Sequence, residues 1–145
     1  MSQLKSVAIK ATSRAPMQII DSAVVTVEKG INGDFRGSAT NRQITILAES
    51  SWLRACETVG TNLPWTTRRA NLLVDGIEFS ADDVGKKVTI GDVELEITRE
   101  TNPCALMEQQ HQGLKSALTP NWAGGACCKV LKAGSFKVGD RVTVA

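Results

Sequence analysis

Val88-Thr89-Ile90-Gly91-Asp92-Val93-Glu94-Leu95-Glu96-Ile97-Thr98 carries the plainest structural message in this chain. Val93, Leu95 and Ile97 alternate with Glu94, Glu96 and Thr98, the period of two that gives a strand one buried face and one wet face. Val88-Thr89-Ile90 precedes them across only Gly91-Asp92. Glycine at the first loop position suits a II′ turn, whose twist matches that of the flanking strands. The stretch reads as a β-hairpin.

Working outward, the same alternation recurs in short pieces. Val7 and Ile9 alternate with Ser6, Ala8 and Lys10, and Ile44 and Ile46 with Gln43 and Thr45. Residues 19–27 are rich in Ile and Val and run into Lys29-Gly30. Phe136-Lys137-Val138-Gly139-Asp140-Arg141-Val142 echoes the hairpin arrangement. Two stretches read as helix instead. In residues 49–60, Trp52, Ala55, Cys56 and Val59 fall on one helical face, with Ser50 or Ser51 as N-cap and Gly60 as the stop. In residues 103–118, Met107, Leu114 and Leu118 share a face, Pro103 suits the first helical position, and Gly113 weakens the middle enough to break it. Many short strands with two modest helices predict a mainly β fold, a closed or half-closed mixed β-barrel of short strands with a few short helices, rather than a βαβ fold.

A length of 145 residues predicts one domain spanning the chain. Hydrophobic residues make up 42% and charged residues 22%, a globular balance that excludes an extended disordered protein. Lys plus Arg exceed Asp plus Glu by 17 against 15, too little to point to nucleic acid or an anionic membrane. No stretch approaches the ~18 apolar residues of a membrane span, and residues 1–10 lack the basic and apolar runs of a signal peptide. A cytoplasmic protein with reduced cysteines is the expectation. With three Trp, three Phe and no Tyr, a base-stacking platform has little to be built from.

Cys104 is the first candidate for chemistry. Just inside a helix start it would face unpaired N–H groups and the positive end of the dipole, which favour thiolate, the form that attacks sulfur, carries a persulfide or binds a soft metal. The alternative is a packed thiol, since free cysteine is among the most buried residue types. Adjacent Cys127 and Cys128 point to opposite faces of a strand and are expected to pack. A zinc site from Cys104, His111 and this pair would lack the usual knuckle spacing, so no zinc is expected. One histidine and no G-x-S-x-G segment leave a Ser-His-Asp hydrolase without support.

The segment Thr66-Thr67-Arg68-Arg69-Ala70-Asn71-Leu72 is richer. If extended, it puts Arg69 and Asn71 on one face and Arg68 on the other. Guanidinium and carboxamide groups together make a fork for an anionic, hydrogen-bonding ligand such as a phosphate or pterin; charged residues on a solvated strand edge are the competing explanation. Arg42, with Asp34 and Arg36 in the turn Gly30-Ile31-Asn32-Gly33-Asp34-Phe35-Arg36-Gly37, adds polar groups in a glycine-rich region that is not a P-loop.

In order and spacing these pieces resemble the MOSC domain, the module named for the C-terminal part of molybdenum cofactor sulfurases. The resemblance runs from the 30–37 turn through Arg42-Gln43-Ile44-Thr45-Ile46-Leu47, Arg68-Arg69-Ala70-Asn71-Leu72 and Gly76-Ile77. It continues through Gly85 to Asp92, Pro103-Cys104, Gly124-Gly125-Ala126-Cys127-Cys128-Lys129-Val130-Leu131 and Gly139-Asp140, nearly the whole chain. The first loop departs from it: many relatives carry His after Gly-Asp, where this chain has Phe35, so no role for that His transfers. The resemblance implies a mixed β-barrel with Cys104 at the sulfur- or molybdenum-handling position. In larger relatives the module follows a pyridoxal-phosphate cysteine desulfurase domain, for which this chain has no room, or sits in molybdenum enzymes that reduce N-hydroxylated compounds.

The combined expectation is a stand-alone MOSC-like domain binding the molybdenum cofactor (molybdopterin). Arg42, Arg68, Arg69 and Asn71, with Asp34 and Arg36 near them, face the anionic pterin phosphate, and Trp122, Gly124 and Gly125 wall the pocket. Cys104 either accepts sulfane sulfur from a partner cysteine desulfurase and passes it to a molybdenum enzyme, or ligates molybdenum itself in a small reductase. The alternative of another class is a ligand-binding β-barrel module without chemistry. Nucleic acid and membrane are not expected as partners.

Overall fold

A computed structural model describes residues 2–145 and shows a mainly β chain, 36% strand against 22% helix. The strands are β1 Leu4–Ile9, β2 Gln18–Ile20, β3 Ser22–Thr26, β4 Gly30–Ile31, β5 Ile44–Ala48, β6 Leu72–Val74, β7 Lys87–Ile90, β8 Val93–Glu100, β9 Ala126–Lys132, β10 Gly134–Lys137 and β11 Val142–Val144. Among the described residues three α-helices accompany them, α1 Glu49–Val59, α2 Ala105–Gln110 and α3 Leu114–Ala117, with short 3-10 turns making up the rest of the helix. None is long and apolar enough to cross a membrane.

The hairpin forms as read: β7 and β8 pair antiparallel with Ile90 opposite Val93, and Gly91 takes φ 55. It sits within an eight-stranded mixed sheet ordered β11-β7-β8-β9-β5-β6-β1-β2, while β10-β3-β4 form a second sheet. Three expectations need correction. The fold is mainly β with mixed sheets as expected, but of the closed or half-closed barrel the closed form is not found among the described residues. Val142, Thr143 and Val144 are taken up by β7, while the Gln3–Arg141 bridge and the backbone hydrogen bonds of Ser2 and Leu4 with Val142, Asp140 and Gly139 tie the start of β1 to the chain around β11. Residues 136–142 are not a second hairpin, because β10 joins β3 in one sheet and β11 joins β7 in the other. The Ile- and Val-rich run 19–27 is likewise divided, β2 pairing with β1 and β3 with β10.

Neighbouring residues of the central strands feed two cores. Ile46, Leu72, Ile97 and Cys128 pack with Val25, Ile31 and Phe136 between the sheets. Leu47 and Leu73, one position along, pack with Trp52, Ala55, Cys56, Met107, Leu114 and Leu118 beneath the helices. This is the two-face alternation of a strand buried on both sides. β5 is buried at every position.

The helix signals hold in part. Gly60 ends α1 in the left-handed region at φ 77, its N–H bonding back to Cys56 and Glu57. Ala48, not Ser50 or Ser51, is the N-cap; the Ser50 hydroxyl donates instead to Glu78 Oε2 at 2.6 Å. The second helical stretch breaks at Gly113, φ 87, into α2 and α3, while Met107, Leu114 and Leu118 are all buried as their shared face requires.

Candidate functional site

A cavity of about 150 Å³ opens where the end of β1, the β4–β5 loop, the turn before β6 and the start of α2 converge. Lys10, Arg36, Arg42, Arg68 and Arg69 line it, with Asp34 as the carboxylate among them. Thr45, Asn71 and Asn102 add polar groups, while Met17, Leu106 and Met107 make an apolar side next to Cys104. Six residues expected to bind the cofactor, Asp34, Arg36, Arg42, Arg68, Arg69 and Asn71, thus meet Cys104 in one place.

How they meet differs from expectation. Residues 66–71 are not an extended strand: Trp65–Arg68 is a 3-10 turn, and Arg69 follows at φ 64, ψ 32. That left-handed residue, uncommon for a side chain other than glycine, turns Arg68 and Arg69 toward the same cavity instead of opposite faces. The Arg69 Nη2 donates to the Ala15 carbonyl at 2.7 Å, tying in the loop after β1. Asn71 is committed internally: its Oδ1 accepts from the Thr45 N–H at 3.0 Å and its Nδ2 donates to the Ala8 carbonyl at 3.2 Å. It holds β5, β6 and β1 in register, and its amide has little left for a ligand.

Arg68 is 5% exposed. Its Nε donates to the Gly124 carbonyl at 3.0 Å and its Nη2 to that of Thr101 at 2.9 Å. It has carbonyl partners but no carboxylate, and burial, with Arg42 beside it, brings its pKa down to about 10. Burial lowers Arg42 too, and the Arg42 Nε is buried with no hydrogen-bond partner among the described residues. A buried guanidinium nitrogen without an acceptor is costly, and an anion in the cavity would relieve it. Asp34 cannot do so for all five cations; its oxygens already accept the N–H groups of Lys10 and Arg36.

Cys104 is exposed, alone among the four cysteines. It lies at the N-cap of α2 in extended conformation, not inside the helix, and Pro103 precedes it. With only six residues in α2, the helix dipole contributes little. The positive surroundings come from Arg42 and Arg68, both coupled electrostatically to Cys104. Cys127 and Cys128 are buried as expected: the Cys127 sulfur meets the Thr101 hydroxyl at 3.2 Å, and desolvation pushes the Cys128 thiol well up.

Trp122, Gly124 and Gly125 do not line the cavity. Trp122 packs against the core between the sheets, and Gly124 stands behind Arg68 as its acceptor. Lys10, Met17, Thr45, Asn102, Leu106 and Met107 were not anticipated. Lys10 gave only the signal of a lysine closing an alternating strand. Among the described residues, no group of three or more His, Cys, Asp or Glu is placed to hold a metal ion.

The fold has known counterparts. The YuaD protein from Bacillus subtilis superposes with a TM-score of 0.83 at 19% identity, over 99% of this chain and 96% of that one. YiiM from Geobacillus stearothermophilus gives 0.79 at 16%, over 100% and 75%. YiiM from Escherichia coli gives 0.74 at 14%, over 99% and 69%. No curated protein matches the sequence. Residues 32–143 match the MOSC domain, a span that holds the arginines and Cys104. The chain therefore belongs to the MOSC domain family, whose members are associated with the molybdenum cofactor.

Proposed function

We propose that this protein handles sulfur for the molybdenum cofactor, the cationic cavity receiving the anionic end of its pterin and Cys104 carrying sulfane sulfur beside it. One observation carries the reading: the only exposed thiol borders a cavity in which five cations share a single carboxylate. The unpartnered Arg42 Nε supports the fit to an anion. A volume of about 150 Å³ is below the ~300–1,000 Å³ of pockets that enclose a whole ligand. The cavity therefore suits one end of such a cofactor, the remainder lying outside.

Arg36, Arg42 and Arg69 donate to the anion, and Arg68 supplies charge from behind while fixing Thr101, three residues before Cys104. The Cys104 thiolate attacks the terminal sulfur of a donor persulfide, as on a cysteine desulfurase. A new S–S bond forms at Cys104 as the donor's S–S bond breaks, and the donor leaves as thiolate. The sulfane sulfur changes host with no net oxidation. Were the cofactor bound in the cavity, it would supply a metal centre beside the sulfur that Cys104 carries.

The test is incubation with a cysteine desulfurase and cysteine, followed by persulfide-selective labelling and mass spectrometry. One added sulfur on Cys104, lost in Cys104→Ser, supports the proposal. Protein from a molybdenum-sufficient host is analysed for metal and pterin in parallel. Metal with pterin but no persulfide would favour Cys104 as a molybdenum ligand in a small reductase. Neither persulfide nor cofactor would leave a binding module without chemistry.

A further inference from the structure

Lys10 follows β1 and is 8% exposed, yet its ammonium makes no hydrogen bond or ion pair among the described residues. Its main chain is held firmly. Lys10 N–H donates to Asp34 Oδ1 at 3.1 Å, and its carbonyl accepts from Phe35 N–H at 2.8 Å. The side chain lines the cavity, facing Arg69, Arg36 and Arg42 as like charges and Asp34 as the one opposite charge; Arg68 and Cys104 complete the ionisable lining. Buried lysines ordinarily find a carboxylate or lose their proton. Here burial, and then Arg69 and Arg36, lower the pKa of Lys10, with Asp34 opposing. A lysine whose stem is buried and whose amine opens into a cavity among cations is in a setting where it becomes a nucleophile toward carbonyl carbon.

We infer that Lys10 is a reactive amine that condenses with small aldehydes bearing a phosphate group, the neighbouring guanidinium groups seating the phosphate. The neutral amine attacks the carbonyl carbon and forms the C–N bond. The nitrogen then gives up two protons, which leave with the carbonyl oxygen as water, so C=N replaces C=O. No oxidant or reductant takes part. The inference rests on the cavity being an anion site and adds a covalent step at a residue other than Cys104.

Glycolaldehyde phosphate and glycolaldehyde are the probes, each trapped with cyanoborohydride at limiting concentration and located by peptide mass spectrometry. Lys10 should be modified by the phosphorylated probe several-fold ahead of exposed Lys5, Lys29 and Lys115. Excess inorganic phosphate should suppress Lys10 alone, and plain glycolaldehyde should show a clearly smaller preference for Lys10. Lys10→Arg should abolish the adduct at that position while the exposed lysines react as before. The phosphate-protection comparison uses wild-type protein and does not depend on the variant folding. Lys10 reacting no faster than the exposed lysines, or equally with both aldehydes, overturns the inference. Calorimetry with inorganic phosphate separates the two failures: phosphate bound with Lys10 silent refutes the reactive amine alone, whereas no phosphate binding removes the anion site with it.

Discussion

Arg68 and Gly124 are joined by a 3.0 Å hydrogen bond from the guanidinium Nε to the glycine carbonyl, at a contact too close for any side chain on the glycine. A Cβ there would run into the Thr101 carbonyl oxygen and lie 3.2 Å from Arg68 Nη2. One arginine thus braces the end of β8 against the entry to β9, and the loop that leads to Cys104 starts from that brace.

Arg68→Met removes the donor to both carbonyls. Leaving buried acceptors unmet costs about 1–3 kcal/mol, reduced by relief from burying a charge. The urea midpoint should fall. Arg68→Lys keeps the charge but has no planar fork to span two carbonyls, so it should fall as well. A lysine variant as stable as wild type would show that the charge, not the brace, matters.

Gly125 has φ 106, and a Cβ there would clash with the Ile46 carbonyl oxygen, in backbone next to the β5–β9 ladder. Gly139 has φ 96 with nothing within 4 Å of the same position. Gly139→Ala carries backbone strain alone, of the order of 1 kcal/mol. Gly125→Ala adds a clash with main chain and should cost clearly more in thermal unfolding. Equal losses would mean that β5 moves aside freely.

Glu78 accepts from Arg54 at both oxygens, 2.7 Å each, and from Ser50, fastening α1 to the chain after β6. The Arg54 and Ser50 hydrogen bonds depress its pKa from 4.5 to about 2. Its folded value lies below its unfolded value, so its contribution is present above pH 4.5 and fades as the pH falls toward 2. Solvent screening at this exposed pair keeps the effect small. Glu78→Gln should lower the denaturant midpoint at pH 6 and match wild type near pH 2. A difference that persists at pH 2 would assign the effect to packing instead.

The parts legible in sequence were those governed by local chemistry. The Gly91-Asp92 hairpin, the stop at Gly60 and the break at Gly113 each follow from one glycine beside a clear period. Arg68 and Arg69 had no such local rule: their turn depends on carbonyls at Ala15, Thr101 and Gly124, far along the chain. Asn71 looked like a ligand group because its type suits one, but three strands use its amide first. Lys10 stayed hidden because an alternating pattern says which face a lysine takes, not which loop folds over it. Whether the large sheet closes was equally out of reach, since the pairing of three residues in β11 decides it.

Cys104 stands apart from the other thiols by access. Cys56 is 3% exposed, Cys127 and Cys128 0%, and Cys104 is open to solvent beside a cationic cavity. Reactive cysteines occupy such electropositive, accessible positions, and buried ones are inert until the fold opens. Brief, limiting alkylation at neutral pH should therefore mark Cys104 first. The three buried thiols should follow only when denaturant is added. Inorganic phosphate filling the cavity would bring negative charge between Arg42 and Cys104 and should slow the Cys104 reaction, leaving the denatured-state rates unchanged. Cys104→Ser should unfold at the wild-type midpoint, because its side chain makes no cap hydrogen bond to lose. Peptide mass spectrometry reads the order directly. If Cys104 reacts last, or at a rate indifferent to phosphate binding, the thiol and the cavity do not work together, and the proposed sulfur transfer has no nucleophile at that site.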